Sequence, residues 1–157
     1  METLAQFHPI VVHFPIALLS FYVLFEIVTL FLKNKEFEKF VLILLLAGTL
    51  AGLAAVLTGH QAEEFAEEKF ENSKSGIISE TIENVIGEHE EYATITLWFF
   101  AALSALRIGL LVTKKFNKTF KILFVVLALV GGFLIYQTGA HGGILVYKYG
   151  IGTEMIK

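Results

Sequence analysis

Five histidines are the side chains of this chain best suited to chemistry, and all five fall at one end of its apolar segments. His8, His13, His60, His89 and His141 sit just before, just inside or just after one of four long hydrophobic runs. Imidazole is the commonest protein ligand for transition metals and also serves haem iron. Cysteine is absent, which removes disulfides, thiolate zinc sites, iron–sulfur clusters and covalent c-type haem attachment within this chain. Aspartate is absent too, so acidic chemistry rests on glutamate.

Each histidine has a distinctive neighbourhood. His8 precedes Pro9, and His13 precedes Phe14-Pro15. Pro9 suits the first position of a helix, where its missing N–H matters least. Pro15 lies deeper, so it should kink the helix and free the Val11 carbonyl. His8 and His13 are a poor pair for one ion on a regular helix. They fit separate sites, or one supports the other; the plainer reading is an interfacial polar residue and a backbone-bonded imidazole. His60 has Glu63 and Glu64 one turn on, as in carboxylate-bearing metal bundles or in a solvated acidic helix. His89, within Gly87-Glu-His-Glu-Glu91, is equally open, and no Glu-x-x-His motif of di-iron bundles occurs. His141 is followed by Gly142-Gly143, which admit a planar ligand or another backbone, or else cap a helix.

The elements that must position these residues are membrane helices. The chain is 55% hydrophobic, only 17% charged, and has a mean hydropathy of +0.69, which marks an integral membrane protein. The runs Pro9 to Leu32, Phe40 to Gly59, Tyr92 to Thr113 and Phe120 to Thr138 are each close to the ~20 residues that cross ~30 Å of hydrocarbon. Short links after runs one and three make neighbouring helices antiparallel. The fold expected is an all-α, integral membrane four-helix up-and-down bundle, one domain over 1–157. Helices two and three should extend beyond the membrane, because Ala62, Phe65, Ala66 and Phe70 recur at helical spacing. Asn72 to Gly76 should turn, Ser79 should cap the next helix, and His89 should lie on its apolar stripe. The tail from Ile144 to Gly152 should lie at the interface or fold back, with its tyrosines at headgroup level. Glu26 and Arg107 are the only interior charges of the runs, Lys121 being at the start of the fourth; they lie at similar depth and should pair inside the bundle unless Arg107 snorkels to the interface. Gly48-x-x-x-Gly52 belongs to a small-residue packing face.

Lys and Arg set the orientation. The two short links and adjoining helix ends hold eight of them and the opposite side four. That places the links in the cytoplasm of a bacterial inner membrane, with both termini and all histidines periplasmic. Met1 to Phe7 lack the basic residues of a cleaved signal peptide. The two hairpins also resemble each other: His8 to His60 and His89 to His141 both span 52 residues, and Thr58-Gly59 and Thr138-Gly139 end the second run of each. A duplication of 1–75 as 76–157 would pair His8 with His89 and His60 with His141; chance matches in an apolar chain are the other reading.

The opening His8-Pro9 and Val12-His13-Phe14-Pro15-Ile-Ala-Leu, the acidic stretch around His89 and the closing His141-Gly-Gly-x-Leu145-Val-Tyr147-x-x-Gly-x-Gly152 resemble the bacterial membrane family called domain of unknown function 2231. The resemblance covers nearly the whole chain and implies four transmembrane helices. Some relatives are joined to c-type cytochrome modules, which leans toward redox work.

Three functional readings follow. The first is a b-type haem protein of electron transfer, with one or two haems held between histidines of similar depth. Its ligands would come from His13, His60, His89 and His141, with His8 as substitute or support, and its partner would be a periplasmic cytochrome or a quinone. The second is a Zn, Cu or Fe site from the same histidines with Glu63, Glu64, Glu88 or Glu90. The third is a non-catalytic accessory subunit, with self-association possible in each case. Hydrolytic motifs are missing and the acidic outer end excludes nucleic acid, so an electron carrier or binding protein is expected over a hydrolase or transferase.

Overall fold

The computed structural model describes residues 2–71 and 76–151, with side chains placed for 7–63 and 81–151. Five helices follow in order: α1 (Glu2–Val11), α2 (His13–Val28), α3 (Lys35–Glu71), α4 (Gly76–Val112) and α5 (Lys118–Tyr147). Only Val12 separates α1 from α2, and together they supply one span. The four candidate spans are Phe7–Val28, Lys35–Glu63, Thr81–Val112 and Lys118–Tyr147. The architecture is therefore the expected all-α four-helix bundle, with α3 and α4 carried beyond their apolar stretches.

The interruption at Val12 has a local cause. Pro15 offers no N–H to the Val11 carbonyl, so one bond of the helical ladder is missing. Bonds on either side persist: Val12 N–H donates to the His8 carbonyl at 3.1 Å and Ile16 N–H to the Val12 carbonyl at 3.4 Å. Pro9 differs from expectation, for it lies inside α1 and not at its first position. Each short link ends on an asparagine that caps the next helix. Asn34 Oδ1 accepts from the N–H of Glu36 and Phe37 at 2.9 and 3.2 Å. Asn117 Oδ1 accepts from Thr119 and Phe120 at 3.0 and 3.2 Å. These satisfy amides that the first helical turn leaves open.

The long link is shorter than its polar composition implies. α3 runs to Glu71 and α4 starts at Gly76, so Ser79 lies within the helix and does not cap it. Of the expected turn, Asn72 to Ser75 lie outside the described residues. α5 continues past Thr138 to Tyr147, which places His141, Gly142 and Gly143 inside a helix and not at a C-cap. The chain then turns at Gly150, whose φ of 69° suits glycine. Tyr149 and Ile151 fold back onto Ile82, Ile86 and Leu145.

The core is a narrow seam: Leu19, Tyr22, Val41, Leu45, Phe100, Leu103, Phe124 and Ala128 pack between the helices. Large apolar side chains such as Phe31, Leu50, Trp98 and Phe133 face outward. An apolar exterior around helices with internally satisfied backbone is what a bilayer demands. Near the short links, Arg107 Nη1 donates to Glu26 Oε1 at 2.7 Å, with both residues fully buried. The guanidinium lies 4.1 Å from the Phe116 ring centroid and 4.7 Å from that of Phe124. The pair expected from depth alone forms, and Arg107 does not snorkel.

Candidate functional site

α1 and α4 place His8 and His89 at the end of the bundle opposite the short links, with the His89 imidazole in electrostatic range of His8. Each ring is anchored through Nδ1. His89 Nδ1–H donates to the Thr138 carbonyl at 3.1 Å. A carbonyl only accepts, so Nδ1 carries the proton and Nε2 keeps its lone pair. His8 Nδ1 lies 3.1 Å from Thr58 Oγ1, whose own proton is directed to the Ala54 and Ala55 carbonyls, each at 3.0 Å. His8 is thereby the donor, and its Nε2 also keeps the lone pair. A ring held by Nδ1–H with Nε2 available is the state in which histidine ligates a metal or haem iron.

Both rings rest on glycine. A Cβ on Gly59 would lie 3.0 Å from His8 Cε1, and one on Gly142 would lie 3.0 Å from His89 Cε1. A side chain at either position would have to push the imidazole aside by a few tenths of an ångström. His8 and His89 are 81 apart in sequence, and Gly59 and Gly142 are 83 apart. The same two offsets recur along the whole bundle. Gly48 packs on Leu19 as Gly131 packs on Phe100. The Asn34 cap corresponds to the Asn117 cap, and the Ala55 carbonyl, within reach of His8, corresponds to that of Thr138. Glu26 and Arg107 stand 81 apart; Glu38 and Lys121, which also pair, stand 83 apart. The first helices of the two hairpins thus match at 81 and the second helices at 83. The difference arises between Arg107 and Asn117, which are ten apart where Glu26 and Asn34 are eight apart, because α4 continues past the point that corresponds to the end of α2. In this register His141 matches Thr58, and His60 matches Gly143, so the His60–His141 equivalence inferred from equal spacing does not hold.

The other histidines are distributed around this pair. His141, on α5, is near His89. Its Nδ1–H donates to the Gln137 carbonyl at 2.8 Å, its ring stacks on Tyr92 at 4.6 Å, and Nε2 lies 3.7 Å from Glu88 Oε2. His60 is more open, with 63% of its side chain exposed against 19% for His141. His60 Nδ1 lies 3.7 Å from Glu63 Oε2 and 3.6 Å from Glu90 Oε1. His13 is exposed on α2, and none of the contacts that gather the other four includes it. Glu64 lies outside the residues whose side chains are described. Two clefts of about 300 and 290 Å³ flank α4, lined by Glu88, Tyr92 and His141 and by Gly87, Glu90 and Thr94; neither is lined by His8 or His89.

Sequence reasoning missed the anchors Thr58 and Thr138 as partners of the rings, although it noted both as repeated Thr-Gly steps. It also missed Gly59 and Gly142 as seats for imidazole. The usable signal was the 81/83 register, which the repeated Asn-Lys-x-Phe of the two short links (Asn34 to Phe37, Asn117 to Phe120) reveals.

A protein-family model described as "Predicted membrane protein (DUF2231)" matches residues 5–155. No curated protein and no solved structure matches the chain.

Proposed function

The chain belongs to the DUF2231 family of predicted membrane proteins, and we propose that it is a b-type haem protein of electron transfer with His8 and His89 as the axial pair. One observation carries this reading. Two imidazoles occupy corresponding positions in the two hairpins, each held by Nδ1 and each resting on glycine, and their Nε2 lone pairs cannot bond one another. Two like donors of this kind are completed by a shared electrophile, and bis-histidine haem in a four-helix frame is the arrangement that uses similar depth on facing helices. Bound there, haem supplies one-electron redox chemistry. Thr58 and the Thr138 carbonyl set ring orientation and raise ligand basicity. Haem uptake must open the seam between the hairpins, because the clefts at this end lie to the sides of α4.

On the same reading the chain is a fused duplication of 1–75 and 76–157, and the axial pair lies on the pseudo-twofold axis. The basic short links face the cytoplasm of a bacterial inner membrane. The histidine end then faces the periplasm, where a cytochrome can approach, or a quinone can reach it from the bilayer. His141 and Tyr92 would line one approach to the pair.

The test is the optical spectrum of detergent-purified protein made with ample haem supply, oxidised and then reduced with dithionite. A strong Soret band that sharpens on reduction, with the α band of a six-coordinate b-type haem, is expected. A featureless spectrum overturns the reading.

A further inference from the structure

We propose a second, separate site: a divalent-cation clasp formed by His60 and Glu63 of α3 with Glu90 of α4, outside the axial pair and independent of haem. One ligand atom from each lies within 4.8 Å of the others. His60 and Glu63 share a face of α3 because residues three apart on a helix are neighbours. Glu90 reaches them from the other hairpin, where α3 and α4 extend past their apolar stretches. Closing on an ion with bonds of about 2.0–2.2 Å needs the donors to contract by about 1 Å. Glu63 is largely covered, and the exposed His60 and half-exposed Glu90 can rotate toward it.

Two further observations favour a cation here. Residues 61–91 contain ten of the fifteen acidic residues of the chain and only two lysines, a field that concentrates cations. Within it, Glu63 and Glu90 bring two carboxylates from different helices to one imidazole, and like charges at that separation are stabilised by a positive ion between them. The second observation is an asymmetry. In the 81/83 register the counterparts of His60, Glu63 and Glu90 are Gly143, Val146 and Pro9, none of which can ligate through a side chain. The cluster is therefore not a by-product of the repeat; it is specific to one side of the bundle. One imidazole nitrogen and two carboxylate oxygens suit a borderline ion, Zn²⁺ first, with an open position for water. Bound there, the ion ties the hairpins together next to His89, one residue from Glu90.

The test is Zn²⁺ titration by calorimetry of the full-length protein in detergent. Saturable binding of one Zn²⁺ per chain is expected. A Glu63→Gln/Glu90→Gln double variant should bind at least about 100-fold more weakly, since even outer-shell changes cost 10–100-fold. His60→Ala should do the same, and His8→Ala should bind as the parent does, whether or not haem is lost. His60 and Glu90 lie at the rim while Glu63 is largely covered, with 17% of its side chain exposed, and an unchanged circular dichroism spectrum checks that the helices are intact in each variant. Absence of saturable binding overturns the proposal. So does parental affinity in the double variant, or a site lost in His8→Ala and retained in Glu63→Gln/Glu90→Gln.

Discussion

The two ends of the bundle solve the same geometric problem in opposite ways. At each end, corresponding positions of the two hairpins bring two polar side chains together on the seam. At the end with the short links the pair is Glu26 and Arg107, unlike charges that close on each other at 2.7 Å inside a sleeve of Phe116 and Phe124. At the other end the pair is His8 and His89, two like donors that turn Nδ1 to the protein and keep Nε2. An unlike pair needs nothing else and reads as a structural lock. A like pair is incomplete until something accepts both lone pairs. That contrast is why the proposed function lies at the histidine end and not at the more deeply buried charges.

The largest effect that would break the contrast is spectral. His8→Ala and His89→Ala should each abolish the six-coordinate b-type spectrum, and the optical titration of haem into the apoprotein reads the loss directly. Glu26→Gln should retain that spectrum even though the protein is weakened. Equal loss from the Glu26 variant would mean that the two ends are not functionally distinct.

Next in size is the lock. Removing one partner leaves the other as an uncompensated buried charge, which costs about 3–5 kcal/mol. Glu26→Gln should therefore lower unfolding free energy by about that much in mixed-micelle denaturation, because it leaves an always-charged guanidinium without its carboxylate, and Arg107→Leu by less, because a lone buried Glu26 can take up a proton and become neutral. The double variant Glu26→Leu/Arg107→Leu should recover most of the loss, since an apolar replacement of a buried pair is often neutral. Additive losses in the cycle would show that Glu26 and Arg107 do not interact.

How much of this was legible beforehand depends on whether helix rotation was needed. The four spans, the antiparallel links and the Glu26–Arg107 pair follow from run length and depth alone, because 1.5 Å per residue converts position into height. One-sided histidines follow for the same reason. Rotation is a different matter. His13 is five residues from His8, which is roughly 140° around a helix, so both cannot face the seam; the structure turns His8 inward and leaves His13 exposed. His60 and His141 looked equivalent at equal spacing, but two extra residues between Arg107 and Asn117, where α4 runs on, shift the α3–α5 register and make Thr58 the counterpart of His141 instead. Glu90 was visible as one of several glutamates; only the facing of α3 and α4 singles it out as the partner of His60.

A smaller effect tests whether the seam is equally tight at both ends. Gly131 lies against Phe100, with a Cβ position 2.5 Å from Cζ and 3.0 Å from Cε1 of a ring that is fully buried. Gly131→Ala must push that ring and should cost about 1–3 kcal/mol by overpacking. Gly142→Ala meets His89 Cε1 at 3.0 Å, so the imidazole needs to yield by only a few tenths of an ångström. It should leave stability nearly unchanged and shift the haem midpoint potential, measured by redox titration, because ring position tunes the iron. A stability loss at Gly142 equal to that at Gly131 would show that the His89 seat is as rigid as the core.

The smallest expected effect concerns Tyr22, which stacks edge-on to Phe100 at 6.1 Å, one turn from Glu26 on α2. Its hydroxyl is buried and, among the described residues, accepts and donates no hydrogen bond; Glu26 Oε2 and Arg107 Nε share that state. A buried hydroxyl without a partner contributes a desolvation cost and no bond. Tyr22→Phe keeps the ring and removes the cost, so it should change unfolding free energy by no more than about 0.5 kcal/mol, or stabilise. The ring, not the hydroxyl, is what this position needs if the lock is self-sufficient. A loss above about 1 kcal/mol, the net worth of an ordinary hydrogen bond, would instead mean that the hydroxyl completes the Glu26–Arg107 pair. The end with the short links would then, like the histidine end, depend on a third group.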